Sequence, residues 1–139
     1  MHRRRQITAS FGLAVAAVTL LPVRLAAPAD AAPKPAASVE VADTATLGVD
    51  AQTVSIEVTA SCGRRWEVLE ALVTVSQPQA DGIGGIPVTC TGRPQTFTVT
   101  VTSFDQAFVP GDAQASALVL VERKGDTRDA QDSEVVSVS

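Results

Sequence analysis

The sequence is poor in the side chains that most enzymes use for acid–base and metal chemistry. Its 139 residues contain one histidine, two cysteines, one tryptophan and no tyrosine. The histidine is His2, so the rest of the chain cannot build a Ser-His-Asp triad, a Cys-His pair or a histidine-bound zinc or copper site. No glycine-rich phosphate loop with a following lysine is present. We therefore expect no catalytic residues, no cofactor and no metal site, and a protein that is not an enzyme.

Basic residues are scarce as well, with 11 Lys+Arg against 15 Asp+Glu and a formal charge of −4. Proteins that bind nucleic acid normally carry a basic surface, so we expect no nucleic-acid partner. The hydrophobic fraction of 45% is too high for a disordered chain, and the length fits one ordinary domain.

The N-terminus has the three parts of a secretory signal peptide. Arg3–Arg5 supply the positive charge, Ile7–Leu21 form an apolar run, and small residues follow as far as Ala32. The apolar run is shorter than the ~20 residues of a membrane-spanning helix. We predict a cleaved signal peptide over residues 1–32, a Pro/Ala linker over 33–37, and a secreted mature protein without a membrane span.

Removal of residues 1–32 changes the charge of the chain. That segment holds four arginines and one aspartate, so the remaining 107 residues carry seven basic and 14 acidic side chains, a net charge of −7. The predicted mature domain is therefore strongly acidic, which favours solubility.

From residue 38 onward hydrophobic residues alternate with polar ones, which predicts half-buried strands. The pattern predicts seven strands, near 38–43, 53–62, 66–76, 86–91, 95–102, 113–122 and 134–138. The run 113–121 is apolar enough for a helix, but Val119–Val121 and the upstream Pro110-Gly111 favour a strand. Short strands with regular turns predict an antiparallel β-sandwich over residues 38–139. We expect its core to contain the inward residues Val54, Ile56, Val58, Phe97, Val99 and Val101.

The two cysteines lie on predicted inward faces, Cys62 at the end of one strand and Cys90 within another. In an exported protein such a pair predicts one disulfide. The bond would close a loop of 29 residues, for which the chain-entropy relation gives about 3.5 kcal/mol.

Three arginines and the tryptophan lie at or beside predicted turns, namely Arg64, Arg65, Arg93 and Trp66. If a disulfide brings Cys62 near Cys90, these side chains meet at one end of the domain. Arginine and tryptophan are common in interface hot spots, so the four residues form a candidate binding patch for an anionic glycan or a partner surface. The alternative is that the arginines are solvated turn residues and that Trp66 belongs to the core.

Two groups of carboxylates are candidates for metal binding or catalysis. The segment 125–134 predicts either a solvated acidic loop or a weak calcium site, and it contains Asp126, Asp129, Asp132 and Glu134. Glu67 and Glu70 are three apart in one predicted strand, so we expect them to point to opposite faces and not to share a substrate.

A resemblance is carried by residues 88–101, Val-Thr-Cys-Thr-Gly-Arg-Pro-Gln-Thr-Phe-Thr-Val-Thr-Val, and 108–115, Phe-Val-Pro-Gly-Asp-Ala-Gln-Ala. These segments resemble the V-x-C-x-G-x-x-x-x-[WF]-x-V-x-V and F-x-x-G-x-A-x-A stretches of a family of small exported actinobacterial proteins of unknown function. An earlier cysteine near a strand end, here Cys62, is also similar to the family pattern. Over about residues 50–139, the resemblance implies a disulfide-bridged immunoglobulin-like β-sandwich outside the cell, with no activity or substrate attached. Family members often have further cysteines in their last third, which this chain lacks.

Together these features predict a secreted, monomeric, non-enzymatic immunoglobulin-like sandwich that binds an unknown protein or an envelope polymer. Two alternatives remain open. An exposed edge strand could pair with a larger secreted partner, or a loop such as Gln77–Gly85 could enter the active site of a secreted hydrolase and inhibit it.

Overall fold

The computed structural model describes residues 34–139, and these residues form one compact unit of seven β-strands. The predicted signal peptide and the first residue of the predicted linker lie outside the described residues. Within 34–139 there is no helix long and apolar enough to cross a membrane.

The strands are β1 (Ala37–Leu47), β2 (Thr53–Cys62), β3 (Glu67–Ser76), β4 (Asp81–Gly85), β5 (Gln95–Ser103), β6 (Gly111–Arg123) and β7 (Asp126–Val138). The predictions of all-β structure and of a strand rather than a helix over 113–121 are confirmed. The predicted strand at 86–91 is wrong, because β4 lies earlier in the chain. The predicted start of the last strand at residue 134 is also wrong, since β7 begins at Asp126.

The strands form a closed barrel in the order β1-β2-β5-β4-β3-β6-β7, so the predicted open antiparallel immunoglobulin-like sandwich is wrong. Closure has two causes. The short β4 is hydrogen-bonded to β3 on one side and to β5 on the other, which joins what would be the two sheets of a sandwich. At the remaining seam β1 pairs with β7 in parallel, through Thr44 with Ser137 and Ala45 with Val138.

Glycines at alternate positions explain why β4 can join two strands. Gly82 and Gly84 are its buried residues, and a Cβ at either would come within 2.7 or 2.5 Å of a backbone oxygen of β5. Only glycine therefore permits this close approach. The sequence Gly82-Ile83-Gly84-Gly85, which predicts a flexible turn, is instead a strand with glycine on its inner face.

A two-residue turn explains why β7 begins early. Lys124 and Gly125 both have positive φ, 50° and 81°, which is the geometry of a type I′ hairpin turn. The turn brings Arg123 opposite Asp126, and the β6–β7 ladder continues to Gly111 opposite Val138. The acidic segment 125–134 is therefore a strand and not a loop.

The core is built mainly from valine and alanine, and five of its six predicted members are buried. The sixth, Phe97, is half-buried and packs against the core. A bulge in β3 interrupts the alternation of inward and outward residues, because Val68 pairs with Val121 and Glu70 pairs with Leu120, leaving Leu69 as the extra residue. The alternation over residues 69–75 of the sequence predicts that Leu69 faces inward, but the bulge leaves it 49% exposed.

The Cys62–Cys90 disulfide is confirmed, with the two Cα atoms 4.5 Å apart. Cys62 is buried at the end of β2, and Cys90 lies in the irregular segment 86–94 between β4 and β5. Two prolines, Pro87 and Pro94, deprive this segment of backbone donors and disfavour a strand. The bond therefore fastens an irregular segment to the neighbouring strand end.

The two ends of the barrel differ in how they are closed. At the end that we call the disulfide end, β2 and β6 finish and β3, β5 and β7 begin. The opposite end, which we call the Phe108 end, is covered by the loops 48–52, 77–80 and 104–110. There Phe108 is 1% exposed and its backbone N–H donates to the carbonyl of Ala51.

Candidate functional site

All basic residues of the described chain lie at the disulfide end, at or close to strand termini. They are Lys34, Arg64, Arg65, Arg93, Arg123, Lys124 and Arg128. Up to and including the residues opposite Leu120, the acidic residues of this end are Glu67, Glu70, Glu122, Asp126 and Asp129, five against the seven cations. A chain with twice as many acidic as basic residues from position 34 onward thus has one predominantly positive end.

The predicted meeting of the Cys62 and Cys90 segments is observed. The backbone N–H of Gly92 donates to the carbonyl of Cys62 over 2.9 Å, and Arg64 Nε donates to the carbonyl of Thr91 over 3.1 Å. Thr91 Oγ1 in turn accepts from the backbone N–H of Arg93 over 3.3 Å. The disulfide and these three hydrogen bonds fix the Arg64 and Arg93 segments next to each other, with both side chains exposed.

Trp66 combines the two roles that the sequence left open. It is half-buried and packs against the core, and its ring lies over Gly63, where an added Cβ would be 3.0 Å from the Trp66 Cδ1 atom. Its backbone N–H donates to the carbonyl of Gly63 and closes the turn that carries Arg64 and Arg65. The tryptophan therefore anchors the turn and remains partly exposed beside the two arginines in the chain.

Arg65 faces a different part of the same end. It lines an open cleft of about 410 Å³ together with Glu67, Glu122, Arg123 and Lys124. The cleft exists because β3 begins beside the end of β6, with Glu67 opposite Glu122. Three cationic and two carboxylate side chains give it a mixed but net positive lining.

Apart from Arg128, the cations of this end form no ion pair with the described residues 34–139. Among residues 34–139, Arg128 and Asp126 form the one pair within 4.0 Å, at 3.2 Å, and both side chains are more than half exposed. Arg64 is the only other cation in this part of the chain whose side chain donates a hydrogen bond to protein, and its acceptor is a neutral carbonyl. The guanidinium and ammonium groups thus remain available to an external anion.

For the acidic segment 125–134 the sequence predicts either a loop or a weak calcium site. In the structure, two of its carboxylates contact other groups of the protein. Asp126 pairs with Arg128, and Asp132 Oδ2 accepts from the backbone N–H of Val41 over 2.8 Å. In residues 34–139 no three His, Cys, Asp or Glu side chains are grouped closely enough to hold a metal ion. The expectation for Glu67 and Glu70 is wrong in its geometry, since the β3 bulge places both on the outer face.

Arg123 and Lys124 belong to this end and were missed as site residues. Nothing near them in the chain connects them with Arg65, because that proximity depends on the antiparallel pairing of β3 with β6. The one available signal was the Arg-Lys-Gly-Asp sequence, whose glycine is suited to a tight hairpin turn.

No protein-family model matches this sequence, and no curated protein is significantly similar to it. The resemblance to small exported actinobacterial proteins therefore stays a prediction. The geometry of the disulfide end is the basis for assigning a function.

Proposed function

We propose that the protein is an exported, non-enzymatic binding module whose disulfide end binds an anionic polymer of the cell envelope. The observation that carries this proposal is the collection of every basic residue of the described chain at one end of an acidic barrel. The disulfide is in keeping with an extracellular location, because such bonds persist in oxidising compartments. The partly exposed Trp66 ring adds an apolar surface of the kind that is enriched in binding hot spots.

The overall negative charge does not oppose this interaction at contact distance. The Debye length is about 8 Å at physiological ionic strength, so an anionic group at the disulfide end is affected mainly by the charges of that end. The acidic loops of the Phe108 end lie at the other end of strands of ten or more residues, each about 33 Å long at about 3.3 Å per residue. They are therefore largely screened. The five carboxylates near the disulfide end lie among its cations, where they lower the net charge of this end without reversing its sign.

Arginine predominates in this set, with Arg64, Arg65 and Arg93 on the turn and the adjoining segment. The planar guanidinium binds phosphate and carboxylate groups through paired hydrogen bonds. A polymer that repeats such groups would contact several arginines at once, and each further contact would add affinity without a new association step. The proposed ligand class is accordingly a glycan or polyol polymer that carries phosphate or carboxylate groups.

The two alternatives from the sequence have less support. The edge of β7 that is not paired with β1 carries Arg128, Asp132 and Glu134 on the face turned toward the barrel axis, opposite Val121, Ala117 and Ala115. Inward charges of this kind discourage strand addition at an edge. The inhibitor hypothesis needs a protruding loop at Gln77–Gly85, but the chain there is a tight turn closed by Gln77 and Ala80, followed by β4.

The test is the affinity of the protein for a phosphodiester-linked wall polymer and for a polyuronate, with a neutral glucan as the negative probe. The double variant Arg64→Ala/Arg65→Ala should weaken binding by at least about tenfold, since each lost charge-assisted hydrogen bond is worth about 1.5–3 kcal/mol. The control variant Gln106→Glu/Gln114→Glu lowers the net charge by the same two units, but at exposed positions of the Phe108 end.

Retention of affinity by the arginine variant, or an equal loss in both variants, would overturn the proposed site. Absence of binding to both anionic polymers would overturn the ligand class. The melting temperature should change little, because both arginines of the test variant are exposed and the one hydrogen bond lost, from Arg64 to Thr91, is exposed as well.

A further inference from the structure

The Phe108 end exposes large apolar side chains that are not packed into the core. Val49 is fully exposed, Phe104 is 70% exposed and Val109 is 46% exposed. All three lie on the loops that cover this end. Exposed apolar groups that lie close together often mark interaction surfaces, whereas singly scattered ones need no explanation.

These loops are tied to one another by backbone hydrogen bonds. The N–H groups of Ser103, Phe104 and Phe108 donate to the carbonyls of Gln52, Asp81 and Ala51, respectively. The buried side chain of Gln77 holds Val109 on both sides, donating to its carbonyl over 2.8 Å and accepting from its N–H over 3.0 Å. A surface held in this way loses little conformational entropy on binding.

The charge of the Phe108 end is the opposite of that at the disulfide end. Its loops and the strand ends beside them carry Asp50, Asp81, Asp105 and Asp112, and no lysine or arginine of residues 34–139 lies there. Each molecule thus has an acidic end with exposed apolar groups and a basic end with a partly exposed tryptophan. The two surfaces are complementary in charge, and each offers an aromatic ring to the other.

We propose that the Phe108 end of one molecule docks on the disulfide end of a second copy, so that the protein associates head to tail. The arginines of one copy face the aspartates of the next, and Phe104 and Trp66 supply the apolar contact. Because the two surfaces of this contact differ, the interaction is heterologous and leaves a free end on each side of a dimer. Association can therefore continue into short chains at high concentration, in contrast to the monomer that the sequence predicts.

This association does not depend on polymer binding, although both use the disulfide end. An anionic polymer bound to Arg64 and Arg65 would compete with the aspartates of a second copy. Head-to-tail contacts therefore predominate without polymer, and polymer separates them. The two proposals can fail independently, since self-association is measured with no polymer present.

The test is sedimentation velocity of the purified protein from about 10 μM to about 1 mM, in low salt and in about 500 mM salt. The weight-average sedimentation coefficient should rise with concentration in low salt, and salt should suppress the rise. Phe104→Ser and the double variant Arg64→Ala/Arg65→Ala should each raise the concentration needed for association by about tenfold. Val135→Ser, which alters an apolar residue of similar exposure (62%) on β7, should leave it unchanged.

A mixture of the two defective variants distinguishes head-to-tail contact from other modes. Phe104→Ser keeps an intact basic end and the arginine variant keeps an intact acidic end, so an equimolar mixture should form a dimer that cannot grow. A symmetric head-to-head contact would give no such rescue. Failure of the mixture to associate, no concentration dependence in the unaltered protein, or association insensitive to both variants would each overturn the proposal.

Discussion

The two ends of this barrel are closed by different means and carry opposite charge. At the disulfide end a covalent bond fastens the irregular segment 86–94 to β2, and basic side chains extend into solvent. At the Phe108 end a buried phenylalanine and a set of hydrogen bonds fasten three loops, and the surrounding charge is acidic. A barrel with a small valine- and alanine-rich core can therefore have two dissimilar end surfaces, one held by a disulfide and the other by a buried phenylalanine and hydrogen bonds.

The largest effect that separates the two ends should come from Phe108. Phe108→Ala removes a fully buried ring from the end of the barrel, and such a change costs about 3–5 kcal/mol of unfolding free energy. The matched control is Phe104→Ala on the same loop, which should stay within about 0.5 kcal/mol because that ring is exposed. Urea unfolding followed by Trp66 fluorescence measures both, and equal effects would show that Phe108 does not hold this end.

The disulfide should have the next largest effect. Cys62→Ser/Cys90→Ser, or reduction with dithiothreitol, should lower the unfolding free energy by about 3.5 kcal/mol, because the unfolded chain regains the freedom of a 29-residue loop. Hydrogen exchange should increase first in segment 86–94 and not in the loops of the Phe108 end. A thermal melt that is the same with and without dithiothreitol would contradict this role.

Gln77 should have a smaller effect, confined to the Phe108 end. It is 7% exposed and satisfies the N–H and the carbonyl of Val109, so Gln77→Ala leaves partly buried polar groups without these partners, at a cost of about 1 kcal/mol. Gln79→Ala is the control, because Gln79 is exposed and bonds only to Gln77 in this part of the chain. Faster amide exchange in 104–110 than in 86–94 is expected for the Gln77 variant, and the reverse order would be evidence against separate ends.

Local pattern was enough to predict most of the strands, but it predicted neither β4, nor the early start of β7, nor the closure of the sheet. The alternation in 53–62 identifies β2 and its buried residues, because a strand with one buried face must repeat every two residues. Closure depends on β4, whose inward positions are Gly82 and Gly84. Glycine has no side chain and so contributes nothing to a hydrophobic pattern. The two glycines that allow the barrel to close are therefore typical, in sequence, of a turn.

In the candidate site, likewise, one part of the arrangement could be predicted from the sequence and another depends on strand pairing. The disulfide placed Arg64 beside the Thr91–Arg93 segment as expected, since a covalent link between two known positions is a long-range constraint that can be derived from sequence. Arg123 and Lys124 come to this end only through the pairing of β3 with β6, and their charges carry no information about that register. The opposite charge of the two ends likewise follows from strand order and not from composition.

The smallest expected effect concerns calcium. If the carboxylates of β7 held calcium, the basic end would also be a cation site, and the charge contrast between the ends would be weakened. The strand geometry is unsuited to a calcium site, because Asp126 and Asp132 are six residues apart, about 20 Å at about 3.3 Å per residue, and each already contacts another group. Millimolar calcium should therefore leave the melting temperature unchanged, with magnesium as the ionic-strength control. A rise with calcium alone that EDTA reverses would show that the acidic residues of β7 are a ligand set, and the disulfide end would then have to be treated as a surface for both signs of charge.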